Sequence, residues 1–352
     1  MGMLSRKRRN RSVLDPIPYI LKVNMHIYTP AATAKTIPVI DLKDSFSQDL
    51  AAKKAVAWEV HKACRETGFF YISNHGVPQE LLDAQLECAR RFFDLPLEEK
   101  LTLNVAKSAS MRGYEPMSSQ TLDDGSRPDL KEGFMAGIDG EQAYTTGGEF
   151  NSLNQWPSSL PSLRQQTEKY IGSMTVLGKH LLGMLALSLE LPEDYFASGL
   201  DHPMLTTRLL HYPPQSGVGD GNQIGAGAHT DWGMLTMLLQ DDVGGLEVRN
   251  ADGDWVRAPY IPGTFVINLG DMVPVLTKGL YNSNMHRVLN TAPNRHRYSI
   301  PTFFDPSYHY KIKPLQHFEG DTSYSHAERT VGEHIADMYE KTYGTSFGKV
   351  IA

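Results

Sequence analysis

After Asp201 the chain breaks into short apolar runs separated by Gly, Pro, Asn and Asp, and this texture limits its fold more than any other feature. The runs are Arg208–Tyr212, Leu235–Gln240, Leu246–Arg249, Trp255–Ala258, Thr264–Leu269, His286–Leu289 and Tyr298–Phe304. Each is four to seven residues long, which is too short for a typical helix and right for a strand, so the spacing predicts an all-β barrel or sandwich. Asn250-Ala-Asp-Gly-Asp254 has the composition of a hairpin turn.

The first half reads differently. Ile37-Pro-Val-Ile-Asp-Leu42 is a short strand, and residues 49 to 67 carry Ala52, Val56, Val60 and Ala63 on one helical stripe ended by Gly68. Phe69–Ile72 is a strand-like run, Asn74–Pro78 a turn and Gln79–Phe93 a helix. Pro96 with Glu98 and Glu99 opens a short third helix. Residues 105 to 155 hold Gly113, Gly125, Pro128, Gly133, Gly137, Gly140, Gly147 and Gly148 without a clear period, and read as a long loop region with short strands. From Leu160 to Leu191 apolar residues recur every three or four positions (Tyr170, Met174, Leu177, Leu181, Met184, Leu187), the pattern of one long helix. Ala327–Tyr343 returns to helix. The expected architecture is mainly β with flanking helices, in one domain over 36–346. It has a helix-rich part to residue 200, a β core over 201–310 and a C-terminal segment over 311–346.

Within the β half, Gly-Ala-His-Thr-Asp-Trp-Gly spans residues 227 to 233, so His229 and Asp231 lie two apart. On a strand such residues share a face. His286 follows 55 residues later, where a second strand can bring it to the same point. Two imidazoles and one carboxylate on one face of a metal leave the other positions open, which is the ligand set of non-haem Fe(II) oxygenases. A closed four-ligand zinc site leaves none. The competing reading is a loop triplet and an unrelated histidine. Arg297 and Ser299 again share a strand face, and a guanidinium with a neighbouring hydroxyl is a clamp for a carboxylate; the competing reading is an internal ion pair.

Composition narrows the partners. A net charge of −6 gives no electrostatic case for nucleic acid. No uninterrupted apolar run reaches the roughly 18 residues of a membrane span. Cys64 and Cys88 form neither a metal pattern nor a disulfide framework, and suit a reducing, cytoplasmic setting as small buried residues. Residues 1 to 35 carry seven Lys or Arg against one acid, Asp15. They read as a disordered basic tail, with a nuclear or organelle targeting signal as the alternative.

Four segments then carry a resemblance: His229-Thr-Asp-Trp-Gly-Met-Leu-Thr-Met-Leu-Leu-Gln-Asp-Asp-Val-Gly-Gly-Leu246, Val266-Ile-Asn-Leu-Gly-Asp-Met272, His286-Arg-Val-Leu-Asn290 and Arg297-Tyr-Ser-Ile-Pro-Thr-Phe-Phe-Asp-Pro306. With Ile37–Asp41, Gly68–Pro78 and Pro128–Phe134 before them, the chain resembles the isopenicillin N synthase-like 2-oxoglutarate- and Fe(II)-dependent dioxygenases from about Ile37 to Tyr343. The resemblance implies a double-stranded β-helix, or jelly roll. It implies His229, Asp231 and His286 as iron ligands, and Arg297 and Ser299 on the distal carboxylate of 2-oxoglutarate. Tyr212 matches a tyrosine beside the cosubstrate. Where plant members carry Asn two positions earlier, this chain has Leu210. Arg208 is expected either to face the cavity or to sit on the strand surface, Phe303 to wall the substrate pocket, and Tyr114 and Phe134 to form its opposite wall. His75 is expected to serve its turn, and Asn268, Gly270 and Asp271 to shape a strand end.

The implied reaction consumes O₂ and 2-oxoglutarate, releases succinate and CO₂, and hydroxylates, desaturates or rearranges a small metabolite, with ascorbate needed only to restore Fe(II). A monomer is expected. The rivals are a same-fold Fe(II) oxidase that uses no 2-oxoglutarate, an inactive binding protein, and a metal hydrolase, for which no His-Glu-x-x-His helix is present.

Overall fold

A computed structural model describes residues 28–30, 33–108, 110–122, 127–140, 153–214, 224–289, 292–315, 323 and 329–343. Most of the basic segment 1–35, the glycines at 125, 147 and 148, and most of the stretch 316–328 lie outside the described residues.

The first half contributes β1 (Val39–Asp41), α1 (Leu50–Glu66), β2 (Phe69–Ser73), α2 (Gln79–Phe93), α3 (Leu97–Thr102), β3 (Gly113–Glu115), β4 (Glu132–Gly137) and α4 (Pro161–Ser188). The second half contributes β5 (Met204–Tyr212), β6 (Ala226–His229), β7 (Leu235–Gln240), β8 (Leu246–Arg249), β9 (Trp255–Ala258) and β10 (Phe265–Leu269). After these come α5 (Met272–Thr277), β11 (His286–Val288), β12 (Arg297–Asp305), β13 (Lys311–Ile312), β14 (Arg329–Thr330) and α6 (Val331–Tyr343).

Two sheets face each other. The larger has eight strands in the order β1-β2-β10-β7-β12-β5-β4-β3, and the smaller has four in the order β6-β11-β8-β9. This is the double-stranded β-helix, mainly β with helices outside. The large sheet draws β1 to β4 from before residue 201, so the β core is not confined to 201–310. The stretch 105–155, read as a loop region with short strands, holds β3 and β4, whose positions the sequence did not mark. Glu132–Gly137 pairs with β5 from Glu132↔His211 to Gly137↔Thr206, and glycines at its second and last positions hid that strand.

Alternation sorts the large sheet's two faces. Leu205, Leu209, Met237, Ile267, Ile300 and Phe304 point to one side and join α1, α2 and α4 in the main core. Residues of the other parity, including Tyr212, Leu210, Val266, Phe69 and Tyr71, pack toward the small sheet's Ala226, Leu246, Val248 and Val288. The helices form for local reasons as well. Asp49 caps α1 by accepting from the Ala51 N–H at 2.9 Å, and Pro161 opens α4 at a position where no N–H is needed. α4 is long and apolar enough by length and composition to cross a bilayer, but most of that stretch is buried inside the protein. Gly178 lets it close onto β12: a Cβ there would sit 2.5 Å from the Phe304 ring.

Candidate metal centre and cosubstrate pocket

The cavity floor is the large sheet's inner face. The register places Ser299 opposite Leu210 and Gln240, and Phe303 opposite Thr206 and Thr236. The small sheet forms the roof. In it, His286 of β11 is the direct partner of His229 of β6, so register alone puts the two imidazoles side by side, 4.2 Å between ring centroids. Asp231 completes the group, and the ligand atoms of the three residues lie within 4.8 Å of one another.

Asp231 does not reach this point as strand geometry predicts. β6 ends at His229, and Asp231 lies in the irregular segment beyond it. Its position comes from tertiary bonds instead. The Asp231 carbonyl accepts from the Asp271 N–H at 2.8 Å. Its Oδ2 accepts from Asn268 Nδ2 and from Thr236 Oγ1, each at 2.6 Å. Oδ1 is thereby left facing His286 Nε2 at 3.7 Å and His229 Nε2 at 3.9 Å.

The histidines are oriented by their other nitrogens. His229 Nδ1 sits 2.7 Å from the Gly227 carbonyl, which makes Nδ1 the donor and leaves the Nε2 lone pair free for a metal. His286 Nδ1 lies 3.3 Å from the Asn284 carbonyl. Burial, and then the neighbouring His286, push His229 well below the ordinary histidine range against the pull of Asp231. Burial alone would raise Asp231, but the two imidazoles, with Asn268 and Thr236, bring its carboxyl below the usual carboxylate range. Two imidazole nitrogens and one carboxylate are the donor set that suits Fe(II).

One end of the cavity is built for an anion. Arg297 is fully buried. Its Nε donates to the Gly244 carbonyl at 2.5 Å and its Nη1 to Ser299 Oγ at 3.0 Å. Its guanidinium carbon lies 4.7 Å from the Tyr212 ring centroid. Among the described residues, Nη2 has no hydrogen-bond partner. A buried guanidinium nitrogen without an acceptor is costly, and a ligand carboxylate removes that cost. The donor set and this unpaired nitrogen fit Fe(II) and 2-oxoglutarate respectively. The Asp241–Gly245 turn seats this arginine. Gly244 supplies the carbonyl, Gly245 adopts φ +94 where a Cβ would meet Leu289 O at 2.3 Å, and Asp241 Oδ2 accepts from the Tyr298 N–H at 2.6 Å.

The substrate side opens beyond the metal ligands, among Arg208, Phe303, Trp232, Met135, Ile335 and Tyr339. Phe303 and Arg208 face the cavity. Arg208 is not bare: it donates to Glu115 at 2.5 Å and to Gln120 at 3.2 Å. Trp232 lies in the same wall and meets Tyr339 of α6 edge to face at 5.2 Å.

Tyr114 and Phe134 do not wall this pocket. Both have the opposite strand parity and lie in the helix-side core, where Tyr114 donates to Glu132 at 2.6 Å and Phe134 packs on Phe92 at 4.5 Å. Their neighbour Met135 faces the cavity instead, and Glu115 pairs with the cavity residue Arg208. His75 stays in its turn, accepting from the Val77 N–H at 3.2 Å. Sequence reasoning also missed Asn268 and Thr236 on Asp231, and Lys131 with its partner Asp129. Lys131 lies in Pro128–Phe134, a stretch read only as family-like.

Fold and site together define an oxygenase with one mononuclear metal centre on a double-stranded β-helix. Residues 37–159 match the N-terminal region described as that of a non-haem dioxygenase in morphine synthesis, and residues 203–306 match the 2OG-Fe(II) oxygenase superfamily. The 2-oxoglutarate-Fe(II) type oxidoreductase hxnY of Emericella nidulans is 37% identical over 317 residues, covering 87% of this chain and 90% of that protein. Homoarginine-6-hydroxylase 2-ODD-C23 of Glycine max is 34% identical over 300 residues, covering 81% and 90%. Among solved structures, a full-length Neurospora crassa protein in complex with alpha-KG and thymine superposes with a TM-score of 0.77 at 25% identity, covering 87% of this chain and 96% of that one. The chain belongs to the 2OG-Fe(II) oxygenase superfamily, in its isopenicillin N synthase-like branch. It is an oxidoreductase, a 2-oxoglutarate- and Fe(II)-dependent dioxygenase acting on a small molecule.

Proposed function

We propose that this dioxygenase oxidises a small metabolite whose polar head carries no net charge and presents both hydrogen-bond donors and acceptors, as the head of an amino acid or a lactam ring does. His229, Asp231 and His286 hold the metal, and Arg297, Ser299 and Tyr212 hold the distal carboxylate of 2-oxoglutarate. The observation that carries the site assignment is the unpaired Arg297 Nη2, buried in the same cavity as the three ligands.

Bound Fe(II) supplies the redox chemistry that couples 2-oxoglutarate decarboxylation by O₂ to oxidation of a substrate C–H bond. The chain supplies position. Asn268 and Thr236 fix which Asp231 oxygen meets the metal. Arg297 and Ser299 anchor one end of the cosubstrate. Trp232, Phe303, Met135 and Tyr339 exclude water and hold the substrate's apolar body.

The substrate head follows from Arg208. Its charge is already answered by Glu115, so a bare anion would have to compete with a buried carboxylate. A head that accepts from Arg208 and donates to Glu115 or Gln120 satisfies all three. The homoarginine hydroxylase and the thymine complex among the relatives support this class, since both of those molecules carry such heads. A monomer in the cytoplasm, meeting neither membrane nor nucleic acid, completes the reading. The unpaired, buried cysteines support the reducing setting; size-exclusion mass and localisation with and without residues 1–35 test these parts.

The experiment loads the protein with Fe(II) anaerobically, adds 2-oxoglutarate and a panel of amino acids and lactam heterocycles, and admits air. One panel member should gain an oxygen or lose two hydrogens in step with succinate release. Arg297→Ala should weaken 2-oxoglutarate binding roughly ten- to a hundredfold, as loss of a charge-assisted bidentate contact does. Unchanged binding would remove Arg297 from the site.

A further inference from the structure

Asp305 is a buried carboxyl that the site described so far does not use. It ends β12, whose cavity face runs Arg297, Ser299, Pro301, Phe303, Asp305 by alternation. Arg297 and Asp305 therefore stand at opposite ends of one strand face. Phe303 pairs with Thr236 of β7, whose hydroxyl donates to Asp231, so Asp231 lies level with Phe303, between the two ends. The cavity divides accordingly. Arg297, Ser299 and Tyr212 line the part assigned to 2-oxoglutarate, and Asp305 does not. Asp305, Trp232, Gly233 and Tyr339 line the lobe beyond the metal ligands, and Arg297 does not. His229, Asp231, Arg208 and Phe303 border both.

The fold uses only half of this carboxyl. Oδ1 accepts the Met234 N–H at 2.5 Å. Among the described residues no donor reaches Oδ2 and no cation pairs with the group. Arg208, the cation that lines this lobe, is paired with Glu115. Gly233 makes room for Asp305, since a Cβ there would lie 2.4 Å from Oδ1 and 2.9 Å from Oδ2. The carboxyl is thus seated against the segment that carries Trp232, and Trp232 and Tyr339 wall the same lobe.

These features fit a cation. Holding the Met234 N–H requires an acceptor but no charge, so an amide would serve as well. A carboxylate buried without a counter-ion is costly, and burial accordingly raises Asp305 to about 7. A ligand cation at Oδ2 removes that cost, and aromatic faces in the same lobe add to its attraction. Asp231 is the other acid among the described lining residues, and it is committed to the metal, Asn268 and Thr236.

We infer that Asp305 is a substrate-binding residue that holds a cationic nitrogen, an ammonium or guanidinium, on the end of the substrate away from its neutral head. This deepens the proposed function and rests on its placing of the head at Arg208 and Glu115. On β5, Arg208 stands four residues from Met204, the partner of Asp305, which is about 13 Å of strand. The Arg208 side chain shortens that span, so one extended small molecule reaches both groups, with its apolar middle against Phe303 and Trp232.

The test measures binding to protein loaded with Mn(II) and 2-oxoglutarate, so that no turnover occurs. Three probe pairs differ in terminal charge: arginine against citrulline, lysine against norleucine, and n-butylguanidinium against n-butylurea, which lack the amino-acid head. Wild type should prefer the cation roughly ten- to a hundredfold, the effect of one charge-assisted hydrogen bond. The pair that shows the larger preference separates guanidinium from ammonium. Asp305→Asn still accepts the Met234 N–H and should erase the preference. Its affinities for citrulline, 2-oxoglutarate and Mn(II) should stay within about twofold of wild type. Glu115→Gln should weaken arginine and citrulline alike and keep the preference; it decides alone if Asp305→Asn fails to fold, because Asp305 is then the acid left in the lobe apart from the metal ligand. The inference is overturned if wild type binds no cation more tightly than its neutral partner, if the preference survives Asp305→Asn, or if Glu115→Gln abolishes it. A preference shown by the butyl pair, with amino acids binding no tighter than butyl probes, would uphold Asp305 and remove the proposed head. Failure of 2-oxoglutarate to bind would remove the cosubstrate site, and the same pairs titrated with Mn(II) alone would then decide on Asp305.

Discussion

Asn268 offers the sharpest test of how this metal site is held. Its Nδ2 donates to Asp231 Oδ2 at 2.6 Å, in a buried pocket, and shares that oxygen with Thr236. Asn268→Leu keeps much of the volume and removes the donor. Two consequences follow. Oδ2 retains only Thr236, so the carboxylate is free to turn, and Oδ1 is no longer fixed toward His229 and His286. The negative charge also loses a hydrogen bond that favours it. A hydrogen bond to a buried carboxylate contributes about 1.5–3 kcal/mol, and each 1.4 kcal/mol is tenfold in affinity. The expected loss in divalent-metal affinity is therefore roughly 10- to 100-fold, in the range known for groups that orient metal ligands. The assay is anaerobic competition against a chromogenic chelator, with Fe(II) or Mn(II), and a urea melt of the metal-free protein in parallel. Metal affinity within about twofold of wild type would refute the reasoning. A loss of metal affinity no larger than the loss of metal-free stability would assign Asn268 to the fold rather than to the ligand.

Two further outcomes concern the scaffold. Burial raises the Asp305 carboxyl to about 7, above its unfolded value. Its stabilising contribution is therefore present at low pH and lost as pH rises through the folded value. Asp305→Asn cannot ionise and still accepts the Met234 N–H, so urea melts of metal-free protein should show wild type losing on the order of 2–3 kcal/mol more than the variant between pH 5 and 8. Equal slopes would count against it. On α4, Gly178→Leu should cost roughly 2 kcal/mol or more by driving into Phe304, whereas Gly172→Ala, with open space around it, should stabilise by about 0.5–1 kcal/mol; urea melts that rank the two variants the other way would contradict the α4–β12 packing.

The parts of this fold that were legible in the sequence are those whose pattern is self-contained. The Gln79–Phe93 helix and the strands Leu235–Gln240, Leu246–Arg249 and Trp255–Ala258 fall where their apolar spacing and flanking turns place them. β4 does not, because Glu132–Gly137 has two glycines and no alternation of its own; it is a strand only because β5, some 70 residues on, pairs with it. Losing that strand also lost its parity. A one-residue error of face is enough to send every side chain to the wrong side of a sheet, and this is why Tyr114 and Phe134 read as pocket walls while Met135 went unnoticed.

The site divides along the same line. His229, Asp231, His286, Arg297 and Ser299 stand out as residue types in a spacing, and the structure brings them into one cavity. The route by which Asp231 arrives was not legible. It lies past the end of its strand and is placed by Asn268 on β10 and Thr236 on β7, contacts between segments 37 and 5 residues away in sequence. Lys131 belongs with these. It faces the cavity from the position just before β4, beside a tyrosine and an arginine supplied by two other strands. Ligand identity is written locally, where a few residue types suffice. Ligand orientation comes from sheet register, which aligns His229 with His286 and Tyr212 with Arg297 and is set by the whole core. A variant that shifted the β5–β12 pairing would therefore scatter the cosubstrate contacts while leaving every one of those residues in the chain.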